Sequence, residues 1–335
     1  MPSQPHRSAS FLPLFGDLDL GTLHGAPGAP PGPKRPVMTL AGQVGELAEA
    51  WLSEYPASTA SAYLGDLTSF SSFCENEGIE VLHAGRYELA RFVAELSGRD
   101  MASASVARRI SGVSSFFTYL AATGVISSSP AAGLRRPHSS GEVRLGLSAE
   151  KLARLLEAAE RHGLMAWCLT ALMGTAGLRV SAACGLRVGD RERDRRGPTI
   201  RAQQKGGGRE AVRVPADLAD ALDELAAERP DDAPLLEGPR GGWLTRQQAG
   251  RIVRALGVEA GLEPPVTPHT LRHSFVSIAL DEAGVPLPAV ADAACHRDPA
   301  TTLSYARALA LGGMVPAEAV AAAVAKRSHR GHDVA

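Results

Sequence analysis

The chain has 335 residues, 44% of them hydrophobic, and a formal net charge of −1. That length suits two compact domains better than one, with enough apolar residues for a sizeable core. No stretch approaches the roughly 20 apolar residues of a membrane helix, residues 1–38 lack the basic start and apolar run of a signal peptide, and the cysteines (Cys74, Cys168, Cys184, Cys295) form no CxxC pair. Membrane spans, disulfide scaffolds and structural zinc are set aside, and a reducing cytoplasm is the expected compartment.

A near-neutral balance is unusual for a protein that neutralises phosphates, but the charge is unevenly spread. Residues 101–140 contain no acidic side chain and include Arg108, Arg109, Arg135 and Arg136. Residues 186–214 carry nine Lys/Arg against four Asp/Glu. Acidic residues gather over 217–232, read as a solvated helix face.

Residues 1–38, rich in Pro, Gly and Ala, read as a disordered arm. Residues 39–134 are helical in pattern. Tyr63, Leu67, Phe70 and Phe73 share a face of one helix ended by Gly78, and a second helix over 103–122 lines up Val106, Ile110, Val113, Phe116, Phe117 and Leu120, with Arg108 and Arg109 on its polar side. Pro137, Ser139, Ser140 and Gly141 mark a linker over 135–147. A second domain spans 148–312. It opens with a helix capped by Ser148, carrying Leu152, Leu155 and Leu156 on one face and stopping at Gly163. An apolar helix over 164–175 follows, ending at Gly177. Short strands are expected over 186–188, 199–202 and 211–214, the last two joined by a turn with Gly206, Gly207 and Gly208. Helices resume near Asp217. The tail, 313–335, holds a short Ala-rich helix over 316–325.

Four segments carry chemistry. Thr267 and Pro268 start a helix running to Gly284 and place His269, Arg272 and His273 on one face of its first turns. Free N–H groups and the helix dipole favour an anion there, and an Arg fork adds bidentate phosphate recognition. Taken alone, a capped helix with solvated polar residues is the plainer account. The HxxxH spacing of His269 and His273 suits a metal, but Thr270 or Leu271 stands where HExxH has its Glu. Gly177 makes a sharp turn that puts Arg179 in the first turn of the next helix; alone it reads as a surface arginine. Lys205 heads the Gly-rich turn, usually a solvated place, though such a turn lets a lysine swing into a cleft and deliver a proton. Tyr305 follows His296 by nine residues, and a lone tyrosine is more often a packing residue.

As an ordered set these residues resemble the tyrosine recombinase (phage integrase) family, of the two-domain Xer-like type. TAGLRVS resembles that family's TGLRxSE, QKGGGREAVRVP its GKGxKxRxVP, and HTLRHSFVSIALDEAG its HxLRHxFAxxLxxxG. SVARRISGVSSFFTYLAATGVISSSPAAGL stands where the family has the last helix of a helical core-binding domain and its exit to the linker. The resemblance spans about residues 39–310. It implies a mainly α fold with a small antiparallel β-sheet: a helical core-binding (SAM-like) domain over 39–134 and a mixed α+β catalytic domain over 148–312.

The resemblance also implies roles. Arg179 and Arg272 hold the non-bridging oxygens of a scissile phosphate and stabilise the pentavalent transition state. Tyr305 attacks phosphorus, leaving a 3′-phosphotyrosine and a free 5′-hydroxyl. Lys205 protonates the 5′ oxygen, His269 accepts a proton or orients the tyrosine, and His296 donates a hydrogen bond to the phosphate. No metal, cofactor or nucleotide is implied, because a phosphodiester is exchanged for a phosphotyrosine ester. The implied activity is site-specific DNA recombination through a Holliday junction, for integration, excision or dimer resolution. The implied partner is double-stranded DNA with short inverted half-sites, contacted in part by Arg108, Arg109, Arg135 and Arg136. The implied assembly is a homotetramer on DNA and a monomer or weak dimer in solution, with no membrane and no small-molecule substrate. In that family a C-terminal helix docks on the neighbouring protomer; packing on its own domain is the alternative for residues 316–325.

Two positions depart from the pattern. Ala182 stands where an acid follows the Ser of GLRxS, and Cys295 replaces the Gly of LGH. A type IB topoisomerase shares the chemistry, and a non-catalytic DNA-binding relative fits the departures and the neutral charge. The helical first domain and the complete chemical set favour the recombinase.

Overall fold

The computed structural model describes residues 34–99, 101, 103–134, 146–204, 208–239, 241–295 and 302–306. Most of the expected arm, Arg135, Arg136, Lys205, His296 and the tail helix lie outside the described residues. The chain divides into two compact units, one within Gly32–Gly141 and one from Glu142 onward. No helix among the described residues is long and apolar enough to cross a membrane.

The first unit is helical: α1 (Gly42–Ser53), α2 (Ala57–Asn76), α3 (Arg86–Gly98) and α4 (Ser103–Ala122), with a 3-10 turn at Val81–His83. Its core is aromatic. Trp51, Phe70, Phe92, Phe116 and Phe117 are fully buried. Phe70 meets Phe92 and Phe117 edge-on at centroid distances of 5.2 and 5.7 Å, the arrangement that ring quadrupoles favour. All six apolar residues expected on the inner face of α4 are buried. Gly78, at φ +68, turns the chain just beyond α2.

The polar side of α4 is more than a solvated face. Arg108 reaches across to α2 and donates two hydrogen bonds, of 2.7 and 2.6 Å, to the carboxylate of Asp66, which is only 2% exposed. Burial raises the Asp66 pKa while Arg108 opposes that rise, so the pair is a structural cross-brace. Arg109 donates to Ser69 Oγ at 3.1 Å.

The second unit is mixed. It contains α5 (Ala149–Arg161), α6 (Leu164–Gly174), α7 (Val180–Cys184), β1 (Arg191–Asp194), β2 (Gly197–Gln203), β3 (Arg209–Arg213), α8 (Ala216–Ala226), α9 (Arg246–Glu259), α10 (Pro268–Asp281) and α11 (Leu287–Ala293). Residues 302–306 are helical. Ser148 caps α5 through its Oγ, as its sequence predicts. Nearly every residue of α6 is buried, because a helix without a charged side chain can be enclosed on all faces, and it is the central post of the unit. The antiparallel sheet runs in the order β1-β2-β3, with Ile200 opposite Val212.

One expected strand is wrong. Leu186 and Val188 send their side chains into the core and residues 188–190 form a 3-10 turn; the first strand is Arg191–Asp194. RERD has no apolar alternation, so hydropathy does not reveal it. Cross-strand and helix-borne charges hold it in place instead. Arg191 pairs with Asp223, and Arg193 reaches Asp220 and Asp223 at 2.7 Å each. Arg213 meets Asp194 at 2.8 Å, Arg201 meets Glu192 at 3.4 Å, and Arg209 pairs with Asp190. The acidic face of α8 is therefore the counter-charge of the hairpin rather than simply solvated. Five of the nine cations counted over 186–214 meet carboxylates.

Gly112 lies one turn beyond Arg108, where a Cβ would stand 2.5 Å from Asp66 Oδ2. Gly112→Ala is expected to lower the stability of the first unit by about 1–3 kcal/mol through overpacking. A urea titration following Trp51 fluorescence measures this, and an unchanged midpoint would show that the α2–α4 brace tolerates displacement.

Candidate active site

The site starts from the N-terminus of α10. Thr267 accepts a hydrogen bond from the Thr270 N–H at 3.1 Å, and Pro268 follows as the first helical residue. This cap fixes where His269, Arg272 and His273 emerge. Arg272 turns inward and is only 7% exposed. Its Nη1 donates to the Gly177 carbonyl and its Nη2 to the Ala294 carbonyl. Both acceptors lie where helices end. Gly177 follows α6 at φ +67, and a Cβ there would run into the Phe275 ring of α10, so only glycine lets this turn close on the helix. Ala294 is the C-cap of α11. Carbonyls at helix ends lack intrahelical partners and carry partial negative charge, which suits a guanidinium without neutralising it.

Arg179 is the N-cap of α7, one position before the expected first turn. Its Nη1 donates to Gln204 Oε1 at 3.1 Å and its Nη2 to the Cys295 carbonyl at 3.4 Å. Cys295 adopts φ +49, the left-handed conformation that glycine takes more readily. The two arginines thus converge on the Ala294–Cys295 turn. Among the described residues neither forms an ion pair with a carboxylate, in contrast to Arg108 and the hairpin arginines.

The electrostatics follow from that arrangement. Burial, then the Arg179 charge, pulls the Arg272 pKa down to about 10. Burial of part of the ring, then the charges of Arg272 and Arg179, hold the His269 pKa below its usual value, which favours the neutral imidazole. Cys295 titrates the other way, pushed up to about 11 by burial and the Glu210 carboxylate, so it stays a thiol at neutral pH.

The His269 and His273 rings meet edge to face at a centroid distance of 3.9 Å, and His273 lies 5.2 Å from the Tyr305 ring. Tyr305 is buried in a small cluster with Val276 of α10 and with Val290 and Ala294 beside it. No third potential ligand joins the two histidines into a metal-binding group among the described residues.

Of the six residues expected to carry chemistry, Arg179, His269, Arg272 and Tyr305 are brought together. Lys205 and His296 lie outside the described residues, but their chain neighbours Gln204 and Cys295 both touch Arg179. Ala182 is buried in the apolar core of the unit. His273 and Gln204 were missed as site residues. The helix face shared with His269 was a signal for His273. For Gln204 there was only its place beside Lys205.

Comparison with known proteins follows the same division of the chain. Residues 146–310 match the model described as Phage integrase family, and residues 51–124 match Phage integrase, N-terminal SAM-like domain. Tyrosine recombinase XerC of Xanthomonas campestris pv. campestris (strain B100) is 32% identical over 254 residues, covering 74% of this chain and 78% of that protein. Tyrosine recombinase XerC of Azotobacter vinelandii is 33% identical over 258 residues, covering 74% and 84%. The fold resembles that of XerH site-specific recombinase bound to a palindromic difH substrate, with a TM-score of 0.65 and 19% identity over 80% of this chain and 82% of that one. It also resembles a lambda integrase tetramer bound to a Holliday junction, with a TM-score of 0.61 and 18% identity over 78% and 76%. The chain belongs to the phage integrase family of tyrosine recombinases.

Proposed function

We propose that this site-specific recombinase cuts and rejoins DNA through Tyr305, with Arg179 and Arg272 clamping the scissile phosphate. The observation that carries the reading is the pair of guanidiniums held by neutral acceptors, one of which, Ala294, packs in the cluster that buries Tyr305. Such a pair attracts an anion and stabilises the charge that grows on the equatorial oxygens in a pentavalent transition state. This is the work that many phosphoryl-transfer sites give to a metal ion, and two fixed cations supply it.

The bonds balance without a cofactor. Tyr305 Oη forms a bond to phosphorus, its proton passes to the neutral His269, and the P–O5′ bond breaks. Lys205 supplies the proton to the departing 5′ oxygen, and His296 donates a hydrogen bond to the phosphate. A 5′-hydroxyl from the partner strand reverses the sequence and releases Tyr305. We assign DNA contact in the first unit to Arg109, with Arg135 and Arg136; Arg108 is engaged by Asp66. The substrate is double-stranded DNA with short inverted half-sites, acted on by a homotetramer through a four-way junction, in the cytoplasm. The palindromic substrate of XerH and the Holliday-junction tetramer of lambda integrase support this form of assembly.

A nicked suicide duplex, with inverted half-sites selected for binding from a randomised library, tests the chemistry. In EDTA the wild-type chain is expected to form a covalent protein–DNA adduct on a denaturing gel, and Tyr305→Phe none. Arg272→Ala is expected to slow the adduct by about 10²–10³-fold. An equal adduct from Tyr305→Phe would sink the mechanism, and plasmid relaxation without exchange between two sites would favour a topoisomerase.

The pH dependence has a definite sign. His269 accepts the proton only when neutral, and its pKa lies below the usual value of about 6.5. The adduct rate should therefore hold through neutral pH and fall as acid protonates His269, whereas His269→Gln should be slower throughout and lack that acidic limb. A pH–rate profile between about 5 and 8 checks this; the same acidic limb in both proteins would assign it to another group.

A further inference from the structure

We propose that Gln204 is a positioning residue: its side-chain oxygen fixes the plane of the Arg179 guanidinium for phosphate and ties it to the turn that carries Lys205. The proposal rests on the catalytic reading above. Arginine only donates, so the amide presents its oxygen, and the contact is 3.1 Å from Nη1 to Oε1. The second hold, from Nη2 to the Cys295 carbonyl at 3.4 Å, comes from the α11 turn. A planar fork held at both Nη atoms by separate elements cannot rotate about its long axis. Two of its five N–H donors are used by partners among the described residues.

The chemistry of the acceptor matters as much as its place. A carboxylate at this distance would orient Arg179 as well but would offset part of the charge that a phosphate needs. An amide orients it and leaves that charge intact. The chain departs from the family strings at two positions in a complementary way. Ala182, where TGLRxSE has an acid, is 4% exposed and packed in the core, so it offers no acceptor. Gln204 stands where GKGxKxRxVP has glycine and provides one.

The backbone makes Gln204 suited to coupling. Its N–H donates to the Gly208 carbonyl at 2.7 Å, closing the hairpin across residues 205–207, and its side chain is half-buried. The direction of the amide is therefore set by hairpin closure, and Lys205 is the next residue. Arg179 is thereby tied by one side chain to the residue that precedes Lys205.

Single-turnover cleavage of the suicide duplex at saturating DNA tests this with two variants. Gln204→Met keeps the shape and loses the acceptor; Gln204→Glu keeps an oxygen at the same reach. The Met variant is expected to form adduct about tenfold or more slowly, the scale of one hydrogen bond to a charged group. Its DNA affinity and thermal midpoint should match the wild type. The Glu variant should recover part of that loss, and not all of it, because it orients Arg179 while offsetting some of its charge. A residue that merely closed the hairpin would give a Met variant as fast as the wild type, which would overturn the proposal. So would Met and Glu variants that are equally slow with DNA affinity retained. A wild-type chain that forms no adduct overturns the catalytic reading and this role with it, an outcome visible in the control lane alone.

Discussion

Two like charges held close together, with no carboxylate paired to either among the described residues, organise the second unit. Bringing Arg272 and Arg179 into one partly buried pocket is unfavourable, and the fall of the Arg272 pKa to about 10 expresses that repulsion together with the loss of water. A carboxylate between them would relieve the strain and remove the use of the site. The fold instead surrounds them with neutral oxygens: the carbonyls of Gly177, Ala294 and Cys295 and the amide of Gln204. Three of these belong to turns that follow helices. The end of α11 thus acts electrostatically as well as mechanically, since a helix end directs unsatisfied carbonyls at whatever it faces.

The same constraint makes sense of the net charge of −1. A sum over the chain does not measure the field at one site. Several of the carboxylates that enter the count are engaged by other arginines: Asp66 by Arg108, Asp190 by Arg209, Asp194 by Arg213, and Asp220 and Asp223 by Arg193, with Arg191 also on Asp223. Pairs on the hairpin and α8 are largely exposed, so each adds little stability, but together they hold a strand that has no hydrophobic reason to stay. Two kinds of arginine stand out among the described residues. One group joins elements through carboxylates. The other is kept from them.

Features set by local chemistry were legible in the sequence. The span of α4 and its buried face follow from apolar spacing, the start of α10 from Thr267 and Pro268, and the cap of α5 from Ser148. Arg179, His269, Arg272 and Tyr305 were legible from order and motif, because a motif keeps residues that converge only after folding. What was missed depends on partners far away in the chain. β1 is a strand because α8 and β2 supply its contacts, not because Arg191–Asp194 alternates. Arg108 looked like a free cation because Asp66 lies 42 residues earlier on another helix. Gln204 gave no signal because its acceptor role exists only once Arg179, 25 residues upstream, is brought to the hairpin.

The short helix α11 meets both the arginine pair and the cluster around Tyr305. Its seven residues, Leu287–Ala293, end at Ala294 and Cys295, whose carbonyls hold Arg272 and Arg179. Its buried Val290, with Ala294, packs in the cluster that encloses Tyr305 and includes Val276 of α10. The two arginines and Tyr305 are therefore referenced to one element. A displacement of α11 would shift the arginine acceptors and the packing around Tyr305 together. Cys295, held at φ +49 where a glycine would rest without cost, stands at the end of that element and just before His296. Its conformation is maintained by what surrounds it: the Asp292 carbonyl that accepts from its N–H at 2.8 Å, and the Arg179 guanidinium that donates to its own carbonyl. The arginine is thus part of what holds the turn that holds the arginine, and the site forms as a unit or not at all.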